Sequence, residues 1–114
     1  MMETCAFCRI AAGEESARIA YQDEDVTAFH DRNPQAPTHV LIIPNEHIES
    51  IKEVEAEDAK LLGKLFVVAR RIAQDQGLTA GYRLVVNTGA QAGQSVHHLH
   101  VHLLGGRPMS WPPG

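Results

Sequence analysis

The sequence predicts an α+β fold built on a mainly antiparallel sheet. Short runs rich in β-branched residues flank one long stretch of helical periodicity, and the last run, residues 98–104, alternates polar and apolar as far as Leu103. The chain has 114 residues, enough for one domain spanning 1–114 but too few for a dinucleotide-binding fold or a TIM barrel. Its 44% hydrophobic and 21% charged residues are average for a soluble domain.

Cys5 to Ala12 (CAFCRIAA) reads as a short helix stopped by Gly13. Arg18 to Gln22 and Val26 to Asp31 read as short strands joined at Asp23-Glu24-Asp25 by a hairpin-type connection. Thr38 to Ile43 (THVLII), bounded by Pro37 and Pro44, is a stronger strand because β-branched residues dominate it. From Ala56 to Gln76, Leu61, Leu65, Val68 and Ile72 recur at helical spacing, Glu57 and Asp58 open the segment and Gly77 closes it. Tyr82 to Asn87 (YRLVVN) forms another strand. A glycine-bearing loop, Thr88 to Ser95, then leads to a strand at His98 to Leu104.

The net charge of −4 denies the chain the basic footprint that a nucleic-acid or membrane surface needs. No basic or apolar leader pattern opens it, so a cytoplasmic location is expected. The compositional oddity is seven histidines. Three of them, His98, His100 and His102, fall two apart on the final strand, which would align their imidazoles about 6–7 Å apart on one face while Leu99, Val101 and Leu103 enter the core. Such a row suits metal ligation or nucleophilic and acid–base work by neutral imidazole. Just upstream, Gly89, Gly93, Gln94 and Ser95 could bring backbone N–H groups close to an anion.

The run His98-Leu99-His100-Val101-His102-Leu103-Leu104 resembles the signature of the histidine-triad (HIT) superfamily, in which three histidines alternate with apolar residues. Ala28-Phe29-His30-Asp31, Pro34-Gln35-Ala36-Pro37-Thr38-His39, Gly93-Gln94-Ser95, Leu104-Gly105-Gly106-Arg107 and Trp111-Pro112-Pro113-Gly114 are similar to its Hint branch, the purine nucleoside phosphoramidases. The resemblance implies a HIT-like fold: a five-stranded sheet, one long helix, a short N-terminal helix, and a homodimer with a continuous sheet. It also implies a hydrolase of purine nucleoside 5′-phosphoramidates, with AMP amides, AMP-lysine-like conjugates and acyl-adenylates as candidate substrates.

In that resemblance His100 is the nucleophile that becomes nucleotidylated, and His102, His39 and Ser95 complete the catalytic set. Phe7, Ile10, Phe29, His30 and Leu41 enclose the purine, Asp31 takes the ribose hydroxyls, and Asn87, Gly93, Gln94 and Ser95 lie near phosphate and sugar. Trp111 reaches the leaving group across the dimer. Two residues depart from the pattern: Arg32 stands where a hydrophobic residue usually touches the base, and His97 where an aromatic precedes the triad.

Cys5-x-x-Cys8 on its own is open to a redox pair, two reduced thiols or a metal site. Resemblance to zinc-binding bacterial HIT proteins implies a structural zinc on Cys5, Cys8, His47 and His98, with no metal required for the chemistry. Two other readings compete: a non-catalytic nucleotide-binding module, and a catalytic zinc on all three triad histidines.

Overall fold

The computed structural model describes residues 4–114. Its elements run α1 (Ala6–Ala11), β1 (Ile19–Gln22), β2 (Val26–His30), β3 (Thr38–Pro44), α2 (Ala59–Asp75), β4 (Tyr82–Val85) and β5 (Val101–Gly105), with short 3-10 turns at Ile51–Glu53, Ala56–Asp58 and Ala90–Ala92. The five strands form one sheet in the order β1-β2-β3-β5-β4, every pair antiparallel. The α+β reading is borne out, as are all five strands and both helices.

The differences are local. The long helix opens with a 3-10 turn, where Glu55 and Asp58 cap each other's backbone N–H groups, so regular α-helix begins at Ala59 rather than Ala56. The last strand begins at Val101, leaving His98 and His100 on the irregular approach to it. A hydrogen bond from the Leu99 N–H to the Ile48 carbonyl holds that approach.

Strand alternation divides the core between the two faces of the sheet. Val26, Ala28, Val40, Ile42, Leu99, Val101 and Leu103 pack against Leu65, Val68, Ala69, Ile72 and Ala73 of α2. On the opposite face Phe29, Leu41 and Ile43 pack against Phe7 and Ile10 of α1. Register places Phe29 opposite Leu41 and Leu41 opposite His102, a row across β2, β3 and β5 on the α1 side. That row is the floor of the site. The hairpin turn is fixed by Asp23, whose carboxylate accepts from the Asp25 and Val26 N–H groups, and Lys64 of α2 reaches both Asp23 and Asp25. Among the described residues no helix is long and apolar enough to cross a membrane.

Candidate active site and metal centre

A cavity of about 640 Å³ lies on the α1 side of the sheet, walled by Phe7, Phe29 and Leu41 and by His30, Asp31, Ser95, His100 and His102. Apolar walls with a few convergent polar groups are what a nucleotide-sized ligand needs. Another hollow, about 590 Å³, lies between residues 77–83 and 106–109 and contains no histidine, cysteine or carboxylate. The chemistry belongs to the first.

Hydrogen bonds fix which nitrogen of each imidazole carries the proton. His100 Nδ1 lies 2.6 Å from the His98 carbonyl and must donate to it, so Nε2 keeps its lone pair. His39 Nδ1 accepts from the Gln35 N–H at 3.0 Å, so the His39 proton is on Nε2. From there it faces His102 Nδ1 at 2.9 Å and the Asp31 carboxylate at 3.4 Å. His102 therefore carries its own proton on Nε2. Burial pushes His39, His100 and His102 below the ordinary imidazole value, His102 to about 4, so all three are neutral near pH 7. The nearby Asp31 charge opposes that shift in each case without cancelling it.

Asp31, His39 and His102 are close enough together to resemble a metal-binding group. The Gln35 N–H argues otherwise, since with His39 Nδ1 already accepting, a metal on Nε2 would require an imidazolate. The cluster is a proton-ordered chain.

A second group has the right chemistry for a metal. Cys5, Cys8, His47 and His98 bring their donor atoms within 4.8 Å of one another. Cys5 Sγ is 3.3 Å from His98 Nδ1, and Cys8 Sγ is 3.2 Å from His47 Nδ1 and 3.6 Å from His98 Nδ1. A tetrahedral ion with bonds of about 2.0–2.3 Å would place its ligands about 3.3–3.8 Å apart, so the set fits a zinc-class ion. His98 is fully buried and donates from Nε2 to the Pro44 carbonyl at 2.8 Å, which turns its Nδ1 lone pair toward the thiols. The N-terminal segment is pinned as well, because Cys5 Sγ also caps α1 by accepting from the Cys8 N–H.

The triad is thus split. His98 turns to the cysteines while His100 and His102, with ring centroids 5.0 Å apart, share the cavity. A single metal on all three does not fit this geometry, because both His98 nitrogens are already engaged, Nδ1 with the cysteine sulfurs and Nε2 with the Pro44 carbonyl.

Other expected residues fall in two groups. His39 lies behind His102 rather than in the cavity wall, Ile10 packs behind Phe7 and Phe29, and Asn87 is half-buried beyond β4. Gly93 and Gln94 do not supply free phosphate donors: their N–H groups close the turn onto the Ala90 and Gly89 carbonyls. The Gln94 amide braces the loop through Gly89, Glu49 and Val96. Ser95 alone of that trio faces the cavity. Trp111 is 81% exposed, just after the segment tied down by Arg83 on the Ser110 carbonyl. His97 is exposed and has no role in either cluster.

Ser16, Ala17, Arg18, Asn33 and Val96 also line the cavity and were not singled out as site residues from sequence. They come from loops of ordinary composition, and no residue pattern marks them. Arg32, noted as a departure, stands on the same rim.

The fold and the histidine-lined cavity are those of a small α+β hydrolase. The chain belongs to the HIT domain family, whose model matches residues 12–109. It is 49% identical over 110 residues to the purine nucleoside phosphoramidase of Escherichia coli, covering 96% of this chain and 92% of that one. An uncharacterized HIT-like protein of Synechococcus elongatus is 49% identical over 114 residues, all of both chains. Among solved structures, a HIT family hydrolase from Legionella pneumophila superposes with a TM-score of 0.96 at 50% identity, covering 97% of this chain and 100% of that one. A histidine triad protein from Clostridium difficile gives 0.93 at 36% identity, with 96% of each chain covered.

Proposed function

We propose that this single-domain chain, residues 1–114, hydrolyses purine nucleoside 5′-phosphoramidates, extending to AMP-lysine-like conjugates and acyl-adenylates. The observation that carries the reading is the His100 Nδ1–H bond to the His98 carbonyl, which leaves Nε2 as an unprotonated nucleophile in the cavity wall. In the first step Nε2 bonds to the α-phosphorus, the P–N bond breaks and the amine departs with a proton. That proton comes from water, since neutral His102 keeps its own; the His102 Nε2–H and the Ser95 hydroxyl line the cavity and hydrogen-bond the phosphoryl and leaving groups. In the second step water attacks phosphorus, the bond to Nε2 breaks, and nucleoside monophosphate is released.

Phe7, Phe29 and Leu41 supply the apolar surface for the purine, with Ile10 supporting it from behind and His30 at its edge. Asp31 accepts from the ribose hydroxyls, and Asn87, Gly93 and Gln94 shape the loop from which Ser95 reaches the substrate. Zinc on Cys5, Cys8, His47 and His98 is structural in this reading: it ties α1, and with it Phe7, to the approach of the catalytic strand. Two copies joined as one continuous sheet would cover the exposed Trp111 and bring it to the partner's leaving-group site. A cytoplasmic setting, which keeps Cys5 and Cys8 reduced, belongs to the same proposal.

The test is turnover of adenosine 5′-phosphoramidate by wild type and His100→Ala, beside AMP binding by both. Wild-type hydrolysis lost in the variant supports the reading. Tight AMP binding without turnover of any phosphoramidate or acyl-adenylate would instead make the chain a nucleotide-binding module.

A further inference from the structure

The proton order in the cavity traces back to a residue outside it. Arg107 follows β5 and sends both Nε and Nη2 to the Gln35 carbonyl, at 3.1 and 3.0 Å, while Nη1 meets the Pro108 carbonyl at 3.0 Å. Beside it, Gly106 adopts φ +93°, and an added Cβ would lie 2.9 Å from Pro37 Cβ, so the exit of β5 is pressed against the 34–37 loop. The N–H of the same Gln35 is the donor to His39 Nδ1. A single residue is therefore held by its carbonyl and orders the site by its N–H.

We propose that Arg107 is a positioning residue for the phosphate site: by holding Gln35 it fixes the tautomers of His39 and His102. If the Gln35 N–H moves away, the His39 proton is free to shift to Nδ1. His39 Nε2 then confronts His102 Nδ1 lone pair to lone pair, and His102 must move its proton from Nε2 to Nδ1 to restore the bond. The donor facing the phosphoryl oxygens becomes a lone pair, which repels them. Forked donation suits guanidinium, because one carbonyl is gripped by two N–H groups of a planar fork; lysine offers a point charge without that fork.

The effect on rate rests on the proposed function, but the effect on tautomers does not. The experiment compares wild type, Arg107→Ala, Arg107→Lys and Arg83→Gln by imidazole ¹⁵N NMR of the metal-replete protein without substrate, then by kcat and KM for adenosine 5′-phosphoramidate. Arg107→Ala should turn the single tautomers of His39 and His102 into mixtures and lower kcat about tenfold, with KM held within about twofold. Arg107→Lys should fall between it and wild type, and serves as the readout if the alanine variant does not fold. Arg83→Gln releases the same C-terminal segment at Ser110 without touching Gln35 and should keep the wild-type tautomers. Unchanged imidazole signals in a folded Arg107 variant, or the same change in Arg83→Gln, would overturn the assignment. Absence of wild-type turnover would count against the proposed function alone.

Discussion

At the scale of single residues, the site works because backbone groups decide where each imidazole proton sits. The His98 carbonyl does this for His100, the Gln35 N–H for His39, and the Pro44 carbonyl for His98. His100→Ala removes the proposed nucleophile and should lower phosphoramidate turnover by at least about 10³-fold while leaving AMP binding measurable. His102 carries a pH consequence for stability. It titrates near 6.5 in an unfolded chain and near 4 in the folded one, where burial outweighs all other influences. Between those values the unfolded chain binds more protons, so stability falls as pH falls from 6.5 toward 4 and is unaffected by this group above 6.5. His102→Asn should lose less thermal stability than wild type between pH 7 and pH 5 in parallel melts. An equal loss in both would show that His102 does not contribute. At this scale the sequence was informative about identity but not about partners. His98, His100 and His102 were visible as a row, and the family resemblance assigned His98 to the cysteines and the other two to the cavity; the backbone groups that set each proton were marked by no residue pattern.

At the scale of elements, each expected helix and strand formed, because periodicity and punctuation agreed along the chain. Pro37 and Pro44 bound THVLII, and five of its six residues are fully or nearly fully buried on one face or the other of the sheet. The departures have physical causes. Cap reciprocity between Glu55 and Asp58 tightens the start of the long helix into a 3-10 turn. His98 spends its ring on a cysteine cluster and a carbonyl, which holds residues 96–100 off the sheet until Val101. The Gly93-Gln94-Ser95 loop was legible as a functional segment. The commitment of its first two N–H groups to a turn was not, since that depends on the positive φ of Gly89 and Gly93. The junction of β5 with the 34–37 loop gives a prediction at this level. Gly106→Ala combines a left-handed backbone with a Cβ 2.9 Å from Pro37 Cβ and should cost about 1–3 kcal/mol of stability in denaturant unfolding. A cost near zero would show that the close approach is relaxed in solution.

For the whole molecule, the sheet separates two tasks. Its α2 face holds the larger apolar core, and its α1 face holds the cavity and the Cys5, Cys8, His47 and His98 group. These share one strand approach, so removing a metal held by that group should be felt in the cavity through α1. Phe7 touches both His98 and His100 edge-on, with ring centroids 5.9 and 5.3 Å away. Cys8→Ser should therefore lower metal content, reduce the melting temperature and raise hydrogen exchange in residues 5–12. Unchanged exchange with the metal gone would refute the tie. Deleting Ser110 to Gly114 should alter preference among phosphoramidates more than it alters the melting temperature, because these residues are exposed in one copy and are proposed to serve the other. Equal substrate preference with and without them would remove Trp111 from the account.

During turnover His100 Nε2 should become bonded to the substrate's phosphorus. The most direct measurement is mass spectrometry of wild-type protein quenched during turnover of adenosine 5′-phosphoramidate, with the modified peptide sequenced. Wild-type protein should carry a nucleoside monophosphate adduct on His100, absent from His100→Ala and cleared as turnover ends. An adduct on another residue, or turnover with none formed at any quench time, would contradict it.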